Sequence, residues 1–374
     1  MQLAELSTVK HRVQLGAPLP FNVRNADKTL LLARGQQVDS VDQLQALFTR
    51  GALVDLAELQ TAREEILKAP RSQLPGLWSR CLNQVALTLA QPAGETFAAA
   101  LDEAAGPAQA LIERDPDLAI FQVLRQGNTP DAEYGAQRSL RTAITSFLVA
   151  QRLGWEASQS ERLFKVALTT NLSMLELQGR LARQTVPLTP EQRAELCSHP
   201  MRSLRMLEQA GVRDADWLKA VLHHHEVADG SGYPSGCTEI GDLASLVHRA
   251  DVYTSKLAAR ASRDAMAADL AGRQMFMQDP GHPMTAALVK EFGIYPPGAY
   301  VRLASGVLAI VVQRGEVITS PVVACLTNER GAPLPTPERR STAERGHAVT
   351  AVVAESQATV RLPLDRLAAL LVAP

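Results

Sequence analysis

The chain has 374 residues, of which 46% are hydrophobic and 21% charged, and its formal net charge is −1. That composition excludes a disordered chain, and the near-neutral balance excludes a basic field that would draw the protein to DNA, RNA or an anionic membrane. The length exceeds one ordinary hydrophobic core and predicts two or three domains.

The first residues, "MQLAELSTVKHRVQLG", hold no apolar run long enough for a signal peptide, and nothing later approaches the ~20 apolar residues of a membrane span. Cys81, Cys197, Cys237 and Cys325 show no C-x-x-C spacing, so neither a disulfide framework nor a zinc ribbon is expected. A cytoplasmic protein is the expectation.

The first zone, residues 1–67, reads as a small α+β module. "PFNV" and "TLLLA", separated by a polar turn at Asn25 to Lys28, predict two short strands. Gly35 interrupts them. Ser40-Val-Asp-Gln43 is a capping box opening a short helix that Gly51 can close. No chemistry is visible in this zone.

The second zone, residues 70–278, is helical. Apolar residues recur at three and four, as in Leu140, Ile144, Phe147 and Leu148 and in Leu163, Val166 and Ala167. Thr189, Pro190 and Gln192 combine an N-cap, a first-turn proline and a capping glutamine. Gly211 is a C-cap candidate, and the helix after Asp214 has an apolar face of Trp217, Leu218, Val221 and Leu222, with His223-His224-His225-Glu226 as its last turn. No period of 20–50 residues occurs, which excludes a solenoid.

The third zone, residues 295–374, is β-rich. "AYVRLASGVLAIVVQRGE" predicts a hairpin hinged at Ser305-Gly306, and "PVVACLT" and "AVTAVVA" supply further strands. The Pro-, Arg- and Glu-rich span from Ala332 to Gly346 reads as an exposed loop. The expected architecture is mainly α, a helical core flanked by small β-containing N- and C-terminal modules.

Chemistry concentrates in "AVLHHHEVADGSGYPSG", Ala220 to Gly236. Neutral imidazoles and carboxylates suit iron, manganese or zinc at phosphoester-cleaving centres. Adjacent helical side chains point about 100° apart, so His224 and His225 are expected to serve neighbouring ions rather than one. By itself a three-histidine run also reads as a polar helix end, and Asp-Gly-Ser-Gly as a plain turn.

The conjunction His224-His225-Glu226, two residues, then Asp229-Gly230-Ser-Gly232-Tyr233-Pro234 resembles the hallmark of the HD-GYP family, bacterial phosphohydrolases that cleave cyclic di-GMP. The likeness covers about Tyr134 to Arg263 and implies an HD-domain-like helical bundle. It implies His199 (before Pro200), His224, His225 and Asp251 as metal ligands, and Arg260 and Arg263 as phosphate holders. Guanidinium forks suit that task because they make paired charge-assisted bonds to phosphate. Each ligand has a plainer reading: His199 as a helix-junction residue, Asp251 as a partner of Arg249 or Arg205. His223 and His248 match no ligand position and read as structural.

The family's defining His-Asp pair falls in "VALTTNLSM", where this chain has Thr170 and Asn171, with Ser173 for a glycine and Met174 for a phosphate-steadying lysine. Arg138 stands where trinuclear members have a histidine, and Tyr134, beside Glu133, where they have a carboxylate. An anionic aspartate offsets the repulsion of two cations about 3.5–4 Å apart; an asparagine amide does not. The resemblance then implies either one divalent ion (Fe, Mn or Zn) in an incomplete site or none, and a non-hydrolysing sensor or interaction module in cyclic di-GMP signalling. Gly232, Tyr233, Pro234, Arg260 and Arg263 would contact the nucleotide or a partner such as a GGDEF-type cyclase. Two alternatives stay open: an active one-ion phosphodiesterase releasing pGpG or GMP, and a structural dimerisation platform.

Overall fold

The computed structural model describes residues 3–13, 15–55, 62–92, 94, 96–125 and 131–373. The chain divides into two compact units, Met1–Lys68 and Ala69–Pro374.

The first unit holds β1 (Leu3–Glu5), β2 (Val23–Arg24), β3 (Leu30–Leu32), α1 (Val41–Thr49), β4 (Leu53–Asp55) and α2 (Ala62–Lys68). Its strands form an antiparallel sheet in the order β1-β4-β2-β3. The turn between β2 and β3 places Lys28 at φ 72°. Ser40 caps α1 by accepting from the Gln43 amide, and Gly51 closes it at φ 62°. Leu6, Phe21, Val23, Val38, Leu44, Leu47 and Val54 form the core.

The second unit runs through α3 (Leu74–Ala90), α4 (Phe97–Arg114), α5 (Pro116–Leu124), α6 (Asp131–Arg152), α7 (Ala157–Thr169), α8 (Leu175–Arg183), α9 (Pro190–Gln209), α10 (Ala215–His223), α11 (Asp242–Leu257), α12 (Ala268–Gln278) and α13 (Pro283–Phe292). Then come β5 (Tyr300–Leu303), β6 (Leu308–Gln313), β7 (Val322–Thr327), β8 (Pro333–Ser341), β9 (Val349–Val353) and α14 (Leu364–Val372). α6 is the axis of the bundle. It packs against α3, α5, α7, α8, α11 and α13, and every residue from Arg138 to Ala150 is buried. Apolar residues at three and four cover one face. Ser139, Thr142, Thr145 and Ser146, all 0% exposed, keep the other faces slim enough for helices to close in.

The antiparallel sheet has the order β8-β7-β6-β5-β9, with the predicted hairpin at Gly306 (φ 84°). Arg125, just past the end of α5, donates Nε to the Gly298 carbonyl at 2.8 Å and lies over the Tyr300 ring. Arg314 binds Asp117 at 2.5 Å and Glu291 at 2.9 Å. These contacts fasten the sheet to the helices within one unit.

Two features depart from the sequence reading. The span expected as a loop contains β8, paired to β7. Pro335 and Pro337 fall where the pairing of this outermost strand shifts register, between Glu338–Cys325 and Pro333–Thr327, and an irregular stretch of an edge strand tolerates their missing N–H groups. α13 and α14 also went unread, although Leu367, Ala368, Leu371 and Val372 follow helical spacing and are buried.

One glycine fixes how close α8 lies to α6. A Cβ on Gly135 would lie 2.6 Å from Leu175 Cα and closer still to its carbonyl oxygen, backbone atoms that cannot swing aside. Gly135→Ala is therefore expected to destabilise the unit by about 1–3 kcal/mol, read from urea unfolding midpoints, by prying apart the two helices.

Candidate functional site

His199 lies inside α9, not at a helix junction. Pro200 supplies the reason for its orientation. A residue at that place would donate its N–H to the Leu196 carbonyl; proline has none. The freed carbonyl accepts from His199 Nδ1 at 2.5 Å. His224 is held alike, its Nδ1–H donating to Val221 O at 2.7 Å. With both Nδ1 atoms carrying protons, the Nε2 atoms present lone pairs, and they face each other at 3.1 Å. This is the arrangement of metal-ligating histidines, oriented by a backbone carbonyl on the other nitrogen.

His225 completes the group. Ligand atoms of His199, His224 and His225 lie within 4.8 Å of one another, and the His224 and His225 ring centroids are 4.1 Å apart. α10 ends at His223, so His224 and His225 sit in a turn whose backbone brings both rings to one side, a spacing open to one ion or to two neighbouring ones. Nitrogens about 2.1 Å from an ion stand roughly 3–3.5 Å apart, so the His199–His224 spacing fits two ligands of one ion. Desolvation pushes the His199 pKa down to about 4 and holds His224 and His225 well below the usual imidazole value, leaving all three neutral.

Asp251 pairs with neither Arg249 nor Arg205. Its two oxygens take Arg138 Nη2 at 2.9 and 3.0 Å, with both side chains only 10% exposed. Arg249 instead holds Asp279 at 2.6 Å. The Arg138 guanidinium holds the Asp251 carboxyl below the usual carboxylate range against the opposing pull of burial. Arg138 thus neutralises Asp251 beside the histidines, and His199 feels both charges.

The Thr170–Met174 segment is buried against α9. Ser173 Oγ donates to the His199 carbonyl at 3.1 Å, its amide to Ser203 Oγ, and Arg202 Nη2 binds its carbonyl. Thr170 Oγ1 turns back to Ala167 O at 3.3 Å. Asn171 Nδ2 reaches Thr170 Oγ1, while Asn171 Oδ1 is buried without a hydrogen-bond partner, an oxygen of the kind a cation satisfies.

The glycine-rich loop is pinned by a residue whose role no spacing revealed. Glu226, 2% exposed, accepts from the amides of Ser235 at 2.7 Å and Cys237 at 3.1 Å. Gly232 admits the close fold-back, since a Cβ there would lie 2.6 Å from the His225 carbonyl oxygen. The cis Tyr233–Pro234 peptide follows, and the Tyr233 ring stacks on His225 at 4.6 Å and 23°. His248, read as structural, donates Nδ1–H to the His224 carbonyl at 2.9 Å.

A cavity of about 530 Å³ opens beside the cluster, lined by Arg138, Gln178, His225, Tyr233, Asp251 and Arg260, with Val186, Pro187 and Leu188 at its apolar side. Met174 lines it too. Arg260 donates to Ser255 Oγ at 2.9 Å and Arg263 to Ser255 O at 2.6 Å. Arg263 is not among the lining residues, so of the two predicted phosphate arginines the structure brings only Arg260 to this cavity.

Because the folded-state pKa of His199 is depressed to about 4, below its unfolded value near 6.5, its neutral form stabilises the fold above pH 6.5. That contribution shrinks as pH falls, because the unfolded chain takes up the proton first. For the metal-free protein, His199 alone should remove about 2 kcal/mol of stability by pH 5. Urea midpoints at pH 7.5 and pH 5 check this, with a shallower pH dependence expected in His199→Gln.

Residues 128–276 match the HD domain family. Over 144 residues the chain is 37% identical to cyclic di-GMP phosphodiesterase PA4108 of Pseudomonas aeruginosa, a stretch covering 37% of this chain and 34% of that protein. Over 126 residues it is 24% identical to cyclic di-GMP phosphodiesterase PdeB of Borreliella burgdorferi, covering 33% of each. The chain thus spans about a third of the length of these curated relatives. Bd1817, a HDG"Y"P protein from Bdellovibrio bacteriovorus, shares the fold with a TM-score of 0.50 and 18% identity, over 77% of this chain and 98% of that one. The helical domain, residues 128–276, is thus what matches the HD domain family and what is similar to these cyclic di-GMP phosphodiesterases.

Proposed function

We propose that this protein is a degenerate HD-GYP member that binds cyclic di-GMP or a related nucleotide without hydrolysing it, acting as a sensor or interaction module. The observation that carries this reading is the Arg138–Asp251 pair beside three neutral histidines. A hydrolytic pair of ions needs anionic ligands to offset their mutual repulsion. Thr170 and Asn171 supply none at the His-Asp positions, and Asp251, the carboxylate that lines the cavity among the described residues, is neutralised by a guanidinium.

The residues present fit a single divalent ion, which His199, His224 and His225 would hold; a bound ion would supply Lewis acidity toward a phosphate oxygen. The chain's own residues do the rest. Tyr233 offers one ring face to the cavity while the other is covered by His225, Arg260 meets phosphate, and Val186 to Leu188 give a base an apolar wall.

The spacing of the His199 and His224 nitrogens favours one rival, a one-ion phosphodiesterase converting cyclic di-GMP to pGpG or GMP. Incubating protein purified without oxygen with cyclic di-GMP and Mn²⁺ or Fe²⁺, and following products by chromatography, separates the two. The expected outcome is saturable binding by calorimetry, weakened about tenfold (1.4 kcal/mol) in Tyr233→Ala or Arg260→Ala, with no linear product at high enzyme concentration. Turnover that disappears in His224→Ala would establish the rival, and unchanged binding in both variants would sink the sensor.

A further inference from the structure

Two polar side chains on the cavity wall are buried yet incompletely bonded. Arg138, 8% exposed, spends a single nitrogen, Nη2, on both oxygens of Asp251, and its Nε–H has no hydrogen-bond partner. A guanidinium facing a carboxylate ordinarily engages it through two nitrogens. Gln178, 9% exposed, lines the same cavity, and its Oε1 also lacks a partner. One residue is an orphan donor with a permanent positive charge, the other an orphan acceptor. They lie one turn from the tight Gly135–Leu175 crossing of α6 and α8. Buried groups left unpaired cost free energy, and a ligand that satisfies both recovers it.

We propose that Arg138 and Gln178 are ligand-binding residues of this cavity: Arg138 is a resident cation that takes a phosphate oxygen on Nε, and Gln178 takes a hydrogen-bond donor of the same ligand. The ligand class is a phosphorylated nucleoside, which carries an anionic oxygen at one end and ribose hydroxyl or base N–H donors at the other. Arg138 stands where a metal ion would otherwise neutralise Asp251, so the charge that meets the phosphate is built into the chain and needs no metal. Asp251 occupies Nη2, and the Nε–H is the donor left over for the ligand. The assignment of the ligand to a nucleotide rests on the function proposed above; the assignment of the two residues rests on their unpaired atoms.

The test is calorimetric titration of the EDTA-treated full chain with cyclic di-GMP, GMP and inorganic pyrophosphate. Arg138→Lys keeps a cation for Asp251 but has no Nε–H edge, and should weaken both cyclic di-GMP and pyrophosphate about tenfold. Gln178→Leu should weaken cyclic di-GMP about tenfold and leave pyrophosphate unchanged. It should also leave the urea midpoint equal or higher, because it deletes an unpaired buried group; a structural glutamine would lower it. Should Arg138→Lys fail to fold by circular dichroism, Arg138→Met combined with Asp251→Leu removes the pair together and replaces it. If cyclic di-GMP binds the wild type and both variants alike, the assignment is wrong and the proposed function stands. If pyrophosphate or GMP binds and cyclic di-GMP does not, with Arg138→Lys losing that binding, the proposed function falls and Arg138 keeps its role. Loss in one variant alone removes the other residue from the assignment. If no probe binds the wild type, both readings fall.

Discussion

Two imidazole nitrogens, neither carrying a proton, face each other 3.1 Å apart in a nearly dry helical core. Left alone, that contact is repulsive, and it persists only because each ring is tied behind by a carbonyl three residues upstream. Everything near it can be read as support. Ser173 and Arg202 hold the Thr170–Met174 turn against the His199 backbone, His248 holds the His224 backbone, and Glu226 holds the loop that lays Tyr233 on His225. The fold's polar groups converge on keeping a small electron-rich focus in place.

Around that focus lie a neutral set of groups and a self-cancelling ion pair that act on each other. The histidines are neutral because burial disfavours their charged form. Arg138 and Asp251 are charged and cancel. A centre of this kind carries no net negative charge for a multivalent cation to seek, which distinguishes it from one in which a free aspartate would stand ready. Burying an ion pair is costly unless its remaining donors and acceptors are met, so the unpaired edge of Arg138 is a conspicuous part of the design.

The sequence disclosed the elements with strong periodicity or caps: α1 with Ser40, α9 with Thr189, Pro190 and Gln192, and the hairpin at Gly306. It disclosed the identities of the histidines through a long, specific motif. It did not disclose their convergence. That depended on α10 stopping at His223, one residue before a helical wheel ceases to apply, and nothing in His223-His224-His225-Glu226 marks the stop. Nor could it reveal Arg138 with Asp251, a pairing across 113 residues that only packing of α6 on α11 creates, or Glu226 as a loop staple, because its amide partners nine and eleven residues on are met only once the loop folds back. β8 was hidden by its prolines, which argue against strands in general and are silent about edges.

The His199-Pro200 step shows how a residue known for breaking helices becomes an alignment tool. A proline one place after a helical histidine removes a single rung from the backbone ladder and hands the vacated carbonyl to the ring. The helix continues while the imidazole loses its freedom to flip, so its tautomer is set by main-chain geometry rather than by a second side chain. A designer seeking a histidine that presents a fixed lone pair from mid-helix could write the same dipeptide into a buried helix and need no second side chain behind the ring.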